Sequence, residues 1–418
     1  MDFFMLLFHN RRRRRLEAAY GSTLLFTYIL SCISLYFLAN PAESASNLGI
    51  NYGRIADNLP TPAQAVAILQ SISVTKTRIY DANAAVIKAF ANSGISIIVG
   101  IGNEDVSSLT SPSLAFSWVE TNVAVYYPAT NMIGIAVGNE ALSGNDTQLM
   151  SDLIPAMRNL YSALSSFALQ DKVFVSTAHS LAVMSSSYPP SSGAFAPSEH
   201  MSQMLQFLNM ASAPFMINAY PFFAYKGSPS GVSLQYVLFE ITGGISTASV
   251  AAAVTDPSTG LAYHNMLDAQ VDAVYFALEA MGYGDMEVIV SETGWPSAGD
   301  ADEAGASVQN AQAYNTNLIS RLESGQGTPA HPSKPLQAYI FALFNEDKKP
   351  GPSSERHYGL FNPDGSRVYE FGLDAPRAYT TLYNSVSSSP SRYIYRSWLL
   401  YLSVMATMWL IMFSISLK

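Results

Sequence analysis

Met132-Ile-Gly-Ile-Ala-Val-Gly-Asn-Glu140 is the stretch on which the fold turns. Its first six residues carry no polar alternation, so a strand formed here has both faces covered, as in a parallel sheet wrapped by helices. It closes on Gly138-Asn139-Glu140, which puts an acid where the strand leaves the sheet. Runs of similar character precede it at residues 48–52, 77–80 and 96–101, and follow it at 172–177, 215–220, 287–291 and 336–344. Segments of helical period lie between them, at 61–72, 84–91, 113–126, 147–167, 200–210, 265–280 and 308–322. The first opens on Thr61-Pro62, a helix-start signal, and sets Ala63, Val66, Ala67 and Leu69 toward one side. Eight strands alternating with helices, the last strand excepted, predict an α/β single domain, the (β/α)8 TIM barrel. The main rival, a doubly wound open sheet, would bring a glycine-rich phosphate loop after its first strand, and Asn51-Tyr52-Gly53-Arg54 is not one.

The two ends read as addresses rather than as fold. Arg11 to Arg15 form an unbroken basic run, residues 24–38 are mostly apolar, and small residues gather around 42–46. That order makes 1–45 a secretory signal peptide. An uncleaved anchor helix is the rival, since the apolar stretch is long, but the small-residue site directly after it favours cleavage. At the other end, small and polar residues at 384–391 precede a spacer with Arg392 and Arg396 and an apolar tail at 398–417. This makes 387–418 a signal for a glycosylphosphatidylinositol (GPI) anchor, removed in the mature protein. A spanning helix is long enough to fit too, but would usually be followed by a basic tail, and only Lys418 remains. The barrel domain is then 46–386, secreted and held at the outer face of the plasma membrane or in the cell wall.

The full chain has 22 basic and 31 acidic residues, and eight of the basic ones lie in the two ends. What remains is acidic enough to exclude nucleic acid and other phosphate-bearing partners, and it suits a neutral polymer. The one cysteine, Cys32, falls in the signal peptide, so the exported domain has no disulfide and depends on its core. Asn145-Asp146-Thr147 is a glycosylation sequon. The chain is expected to act as a monomer.

In such a barrel the active site is built at the C-terminal ends of the strands. The fourth expected strand ends in Glu140, the seventh in Ser291-Glu292-Thr293-Gly294-Trp295, and the eighth in Phe344-Asn345-Glu346-Asp347. A lone glutamate after a strand is more often a solvated loop residue or part of an ion pair. Two of them across one barrel mouth suit glycoside hydrolysis, in which one carboxyl is protonated and donates to the leaving oxygen while the other is ionised. Tyr52 and Tyr80, at the ends of the first two strands, are expected beside that pair. The aromatic residues Tyr220, Phe223, Trp295 and Phe344 gather at the same face, where apolar sugar faces stack.

The chain resembles the plant glycoside hydrolase family 17, the endo-β-1,3-glucanases, over about residues 48–383. The resemblance rests on Gly49-Ile-Asn-Tyr-Gly-Arg54, Asn58-Leu-Pro60, Arg78-Ile-Tyr-Asp81, Val99-Gly-Ile-Gly-Asn-Glu104 and Val137-Gly-Asn-Glu140. It continues in Asn218-Ala-Tyr-Pro-Phe-Phe223, Ser291-Glu-Thr-Gly-Trp-Pro-Ser297 and Phe341-Ala-Leu-Phe-Asn-Glu346. It implies retaining hydrolysis of β-1,3-glucan, with Glu292 as nucleophile and Glu140 as acid/base. It also matches Glu346, Lys349 and Glu355 to supporting residues. Lys349 would then keep Glu292 ionised, while Glu346 and Glu355 hold the lysine or bond sugar hydroxyls. Asn139 is expected to donate to the sugar 2-hydroxyl.

No histidine pair has metal-ligand spacing, no Gly-x-Ser-x-Gly elbow is present, and no cofactor motif appears, so neither metal nor cofactor is expected. Two other functions remain open at this point. A glucanosyltransferase would use the same two carboxylates, and a non-catalytic wall-binding protein would use the groove alone. Preference between β-1,3 and mixed β-1,3-1,4 glucans lies in groove shape, which the sequence does not display.

Overall fold

In the computed structural model, residues 47–241 and 254–373 are described. The expected signal peptide and anchor signal lie outside them. The barrel belongs to one compact unit, which among the described residues comprises 47–70, 74–241 and 254–372. Its strands are β1 (Leu48–Tyr52), β2 (Lys76–Ile79), β3 (Ser96–Ile101), β4 (Met132–Asn139), β5 (Phe174–Ser180), β6 (Phe215–Asn218), β7 (Val288–Thr293) and β8 (Gln337–Ile340). They close in sequence order, β1 pairing with both β2 and β8, and every barrel pairing is parallel. The TIM barrel read from the sequence is the fold.

Among the described residues each of the first seven strands is followed by at least one helix, the last α-helix before the next barrel strand being in turn α1 (Pro62–Ser71), α2 (Ala84–Ala89), α3 (Pro112–Val119), α4 (Thr147–Ser166), α5 (Glu199–Met210), α6 (Met266–Ala280) and α7 (Val308–Glu323). Five open on a capping side chain, namely Asn83, Asp146, Ser198, Asn265 and Ser307, each accepting from a first-turn N–H. A cap of this kind is worth about 1 kcal/mol and fixes where the loop stops and the helix begins. The expected helix over 113–126 breaks at Val119 into a single π-turn, Glu120–Ala124. The expected eighth strand is shorter than its apolar run. From Phe341 onward the chain leaves the ladder, and Phe341 and Leu343 donate instead to the carbonyls of Thr293 and Asn51. Two short hairpins, Met184–Ser186 with Ala194–Phe195 and Val254–Thr255 with Ala262–Tyr263, stand in the loops after β5 and β6.

Ile98, Ala136, Ala178, Met216, Ile289 and Tyr339, one from each of six strands, form a buried cluster. Small residues on β4 and β5 share this layer with the large ring of Tyr339. That ring also needs Gly49, where an added Cβ would collide with it. Among the described residues, no helix is long and apolar enough to cross a membrane.

Candidate active site

Both strand-end glutamates sit at irregularities of the ladder. Between Ala136 and Asn139, β4 carries one residue more than its partner β5, and between Val290 and Glu292, β7 carries one more than β6. An extra residue of this kind bends the strand and re-aims the side chain that follows. At β4 the distortion goes further, because Gly138 and Glu140 are both left-handed, with φ of 66° and 55°. A glycine adopts this freely, but a glutamate does so at a cost on the order of 1–2 kcal/mol. The surroundings hold it there. The Glu140 N–H donates to Ala178 O at 2.8 Å, and its carbonyl accepts from Ser143 N at 3.1 Å and Ser143 Oγ at 2.8 Å.

One hydrogen-bonded chain joins the two carboxyls. Asn218 Nδ2, at the end of β6, donates to Glu140 Oε1 at 2.9 Å and to Asn139 Oδ1 at 3.3 Å. Arg78 on β2 donates through Nη2 to the same Asn139 oxygen at 2.9 Å, and through Nη1 to Glu292 Oε1 at 2.9 Å. The other oxygen of Glu292 accepts from Tyr220 Oη at 2.9 Å. Asn218 is itself fixed by Ser291 Oγ, which donates to its Oδ1 at 2.8 Å. Arg78 is 1% exposed and Glu292 7%, so this ion pair is nearly out of water, where a charge without a partner is strongly disfavoured.

The two carboxyls therefore meet different fields. Burial raises the pKa of Glu140 most; the Asn218 hydrogen bond opposes that, the charge of Glu292 adds to it and Arg78 opposes it. Glu292 has a guanidinium on one oxygen and a phenol on the other, so it stands as an acceptor on both. The hydroxyls of Tyr220 and Tyr80 are pushed well up, by burial first and by Glu292 second, and stay protonated. Tyr80 lies close enough to feel that carboxylate, and its ring lies under Arg78, 4.6 Å from the guanidinium carbon.

Several of the expected residues take partners other than those expected, while Glu355 does hold the lysine. Lys349 is not the cation on Glu292: it pairs with Glu355 at 3.7 Å and lies 4.0 Å above the Phe341 ring. Arg78 takes the position expected for it. Glu346 is buried and accepts from the backbone N–H of Ile55 at 2.7 Å, which ties the loop after β1 to the loop after β8; burial raises its pKa against Lys349. Tyr52 packs edge-on against Phe344, and its hydroxyl lies in the field of Arg54 and Asp81 rather than of Glu292. Trp295 is 0% exposed, donates through its indole N–H to Gly305 O at 2.8 Å, and packs on Phe222 and Tyr314. Phe344 is equally buried, so neither ring can stack on a sugar. Of the four expected platform residues, Tyr220 bonds Glu292, and only Phe223 is widely open, at 47% exposure beside Tyr220. Asn145 is exposed on the loop after β4.

Arg78 and Asn218 received no role from the sequence, although both lie in the motifs quoted for the resemblance. A signal for Arg78 was available: an arginine inside an apolar strand run must find a buried partner. Asn218 had no such signal, because a strand-end asparagine is ordinary.

A carboxyl with a raised pKa and an ion-paired carboxyl, joined by one network across a barrel mouth, have the chemistry that glycoside hydrolysis requires. Comparison with known proteins narrows the class. Residues 48–373 match the glycosyl hydrolases family 17, and the chain belongs to that family. Glucan endo-1,3-beta-glucosidase 11 of Arabidopsis thaliana is 48% identical over 349 residues, which span 82% of this chain and 80% of that protein. A glucan endo-1,3-beta-D-glucosidase of Olea europaea is 48% identical over 355 residues, 84% of this chain and 74% of its own. Among solved structures, a β-1,3-glucanase and allergen of Cryptomeria japonica pollen superposes with a TM-score of 0.73 at 41% identity, over 79% of this chain and 99% of the other.

Proposed function

We propose that this protein is an endo-acting hydrolase of β-1,3-glucosidic linkages in β-1,3-glucans such as callose, working by retaining double displacement. The observation that carries the reading is the unequal treatment of two carboxyls joined by one network. Glu140, with its raised pKa, protonates the glycosidic oxygen as that bond breaks. Glu292, held by Arg78 and Tyr220, attacks the anomeric carbon and forms a glycosyl ester. Esterification removes the charge of Glu292, so the pKa of Glu140 falls and it can take a proton from the incoming water. The oxygen of Asn139 is occupied by Arg78 and Asn218, which leaves its NH2 as the group to meet a sugar hydroxyl. The names of the Arabidopsis and Olea relatives support the linkage.

The test is the stereochemistry of the first product. Proton NMR of a linear β-1,3-glucan during early hydrolysis should show the β-anomer ahead of mutarotation. An α-anomer appearing first would sink the double-displacement mechanism, and no new reducing ends from this polymer would sink the substrate.

The same proposal extends to location: secretion, GPI anchoring at the outer membrane face and a glycan on Asn145. The support is the pattern of the two ends and the sequon. A phospholipase specific for the lipid should release the protein from membranes; retention after treatment would favour a spanning helix.

A further inference from the structure

We infer that Glu303, in the loop between β7 and α7, is a positioning residue that holds the wall of the substrate groove in place. It lies outside the network that joins Glu140 and Glu292. The inference rests on the glucan-hydrolase reading of that site.

Glu303 is 4% exposed, and both of its oxygens are fully engaged. Oε1 accepts from Lys226 Nζ at 2.7 Å and from Ser354 Oγ at 2.5 Å. Oε2 accepts from Ser354 N at 2.9 Å and from Asp300 N at 3.0 Å. These partners come from three loops of the catalytic face. Lys226 lies on the short helix Pro221–Gly227 after β6, which begins next to Tyr220 and carries Phe223 one turn before the lysine. Ser354 lies in the single turn Ser353–Arg356 after β8, which carries Glu355, the partner of Lys349. Asp300 belongs to Glu303's own loop, and its carboxylate in turn accepts from Ser353 N at 2.9 Å.

None of these segments is long enough to hold its shape alone; an isolated helix of this length is unstable in water. Each is fixed at the barrel by its strand, and their outer parts converge on one carboxylate. Burial pushes the Glu303 pKa up, but Lys226, Ser354 and the Asp300 N–H outweigh it and hold it at about 2, so the clamp stays charged through the working range. Phe223 is the open aromatic ring at the mouth, and its helix has the Glu292 contact at one end and Glu303 at the other. A sugar unit bound away from the cleavage point would meet this wall, whereas the reacting unit meets Glu140 and Glu292. Loss of the clamp should therefore weaken binding of a long chain more than it slows bond cleavage.

The experiment is Glu303→Gln in the full-length protein, assayed on a long linear β-1,3-glucan and on a short activated aryl β-glucoside. The amide places an NH2 against either the lysine or the donors of Ser354 and Asp300, so the shape is kept and the clamp is lost. KM for the long glucan should rise about tenfold with kcat held within about twofold, and the aryl substrate should change little. Lys226→Met should show the same split with the carboxylate left in place, so the inference remains testable if Glu303→Gln folds poorly. Equal loss of kcat on both substrates, in proportion to the folded fraction, would assign Glu303 to stability alone and overturn the inference. Wild-type turnover of the glucan, measured alongside, reports on the functional reading separately.

Discussion

The ends of β4 and β7 carry the same side chain under opposite conditions. At β4, Glu140 sits on a left-handed residue, with one amide for a partner and a raised pKa. At β7, Glu292 follows a milder distortion and meets a buried guanidinium and a phenol. Backbone geometry aims both into one mouth, but the neighbours give each carboxyl a different field. Identity at the level of residue type thus says little about role; the partners from β2 and β6 make the difference.

Exchange of function between the two should be impossible, and this gives the largest expected effect. Glu292→Ala should lower kcat by at least about 10⁴-fold on both a glucan and an aryl glycoside with a good leaving group. Glu140→Ala should lose roughly 10²–10⁴-fold on glucan, the range of general acid catalysis, yet retain much of its ester-forming rate on the aryl glycoside. Matched losses on both substrates in both variants would erase the distinction.

Next in size is the cation. Arg78 spans Glu292 and Asn139 with separate nitrogens, which a lysine's single ammonium cannot do. Arg78→Met leaves a buried carboxylate unpaired, at a cost of about 3–5 kcal/mol visible as a lower Tm, and should cut kcat/KM about 100-fold. Lys349→Met should cost less than about tenfold, since Lys349 serves Glu355 and Phe341 rather than the nucleophile. A larger effect at Lys349 than at Arg78 would return the lysine to the role that the resemblance assigned it.

A smaller effect should appear in pH dependence. In the proposed mechanism the protonated form of Glu140 is the donor, so kcat/KM should fall as pH rises through its pKa, which burial raises from the ordinary glutamate value. The Asn218 hydrogen bond favours the charged form and pulls the other way. Asn218→Ala should therefore move the alkaline limb to higher pH while lowering the maximum about tenfold. An acid-ward shift would mean that Asn218 serves some other group.

The barrel was legible in the sequence because its signal is repeated. Eight apolar runs each supply the same pattern, and an error of four residues at the end of residues 336–344 changes nothing in the topology. The carboxylates were legible for a related reason: strand order assigns strand ends to one face. What the sequence did not display was direction across short distances. Trp295 follows Glu292 by three residues, and Phe344 precedes Glu346 by two, yet both rings turn into the core, where an indole N–H finds Gly305 and two faces pack at once. Proximity to a catalytic motif carried no information about exposure. Arg78 and Lys349 show the same limit for charge, because a long side chain chooses its partner in space.

The smallest prediction tests that limit at Phe223, the one expected platform ring that stayed open. Its exposed face contributes little to folding, so Phe223→Ala should leave stability within about 0.5 kcal/mol. It should raise KM for long β-1,3-glucan about three- to fivefold, the worth of roughly 1 kcal/mol of stacking, with kcat unchanged. Glu303 acts on the same helix through Lys226, so the double change Phe223→Ala with Glu303→Gln should raise KM by less than the product of the single effects. Full multiplicativity would mean that the clamp and the ring act on different parts of the groove, and that Glu303 works mainly through the turn that bears Glu355.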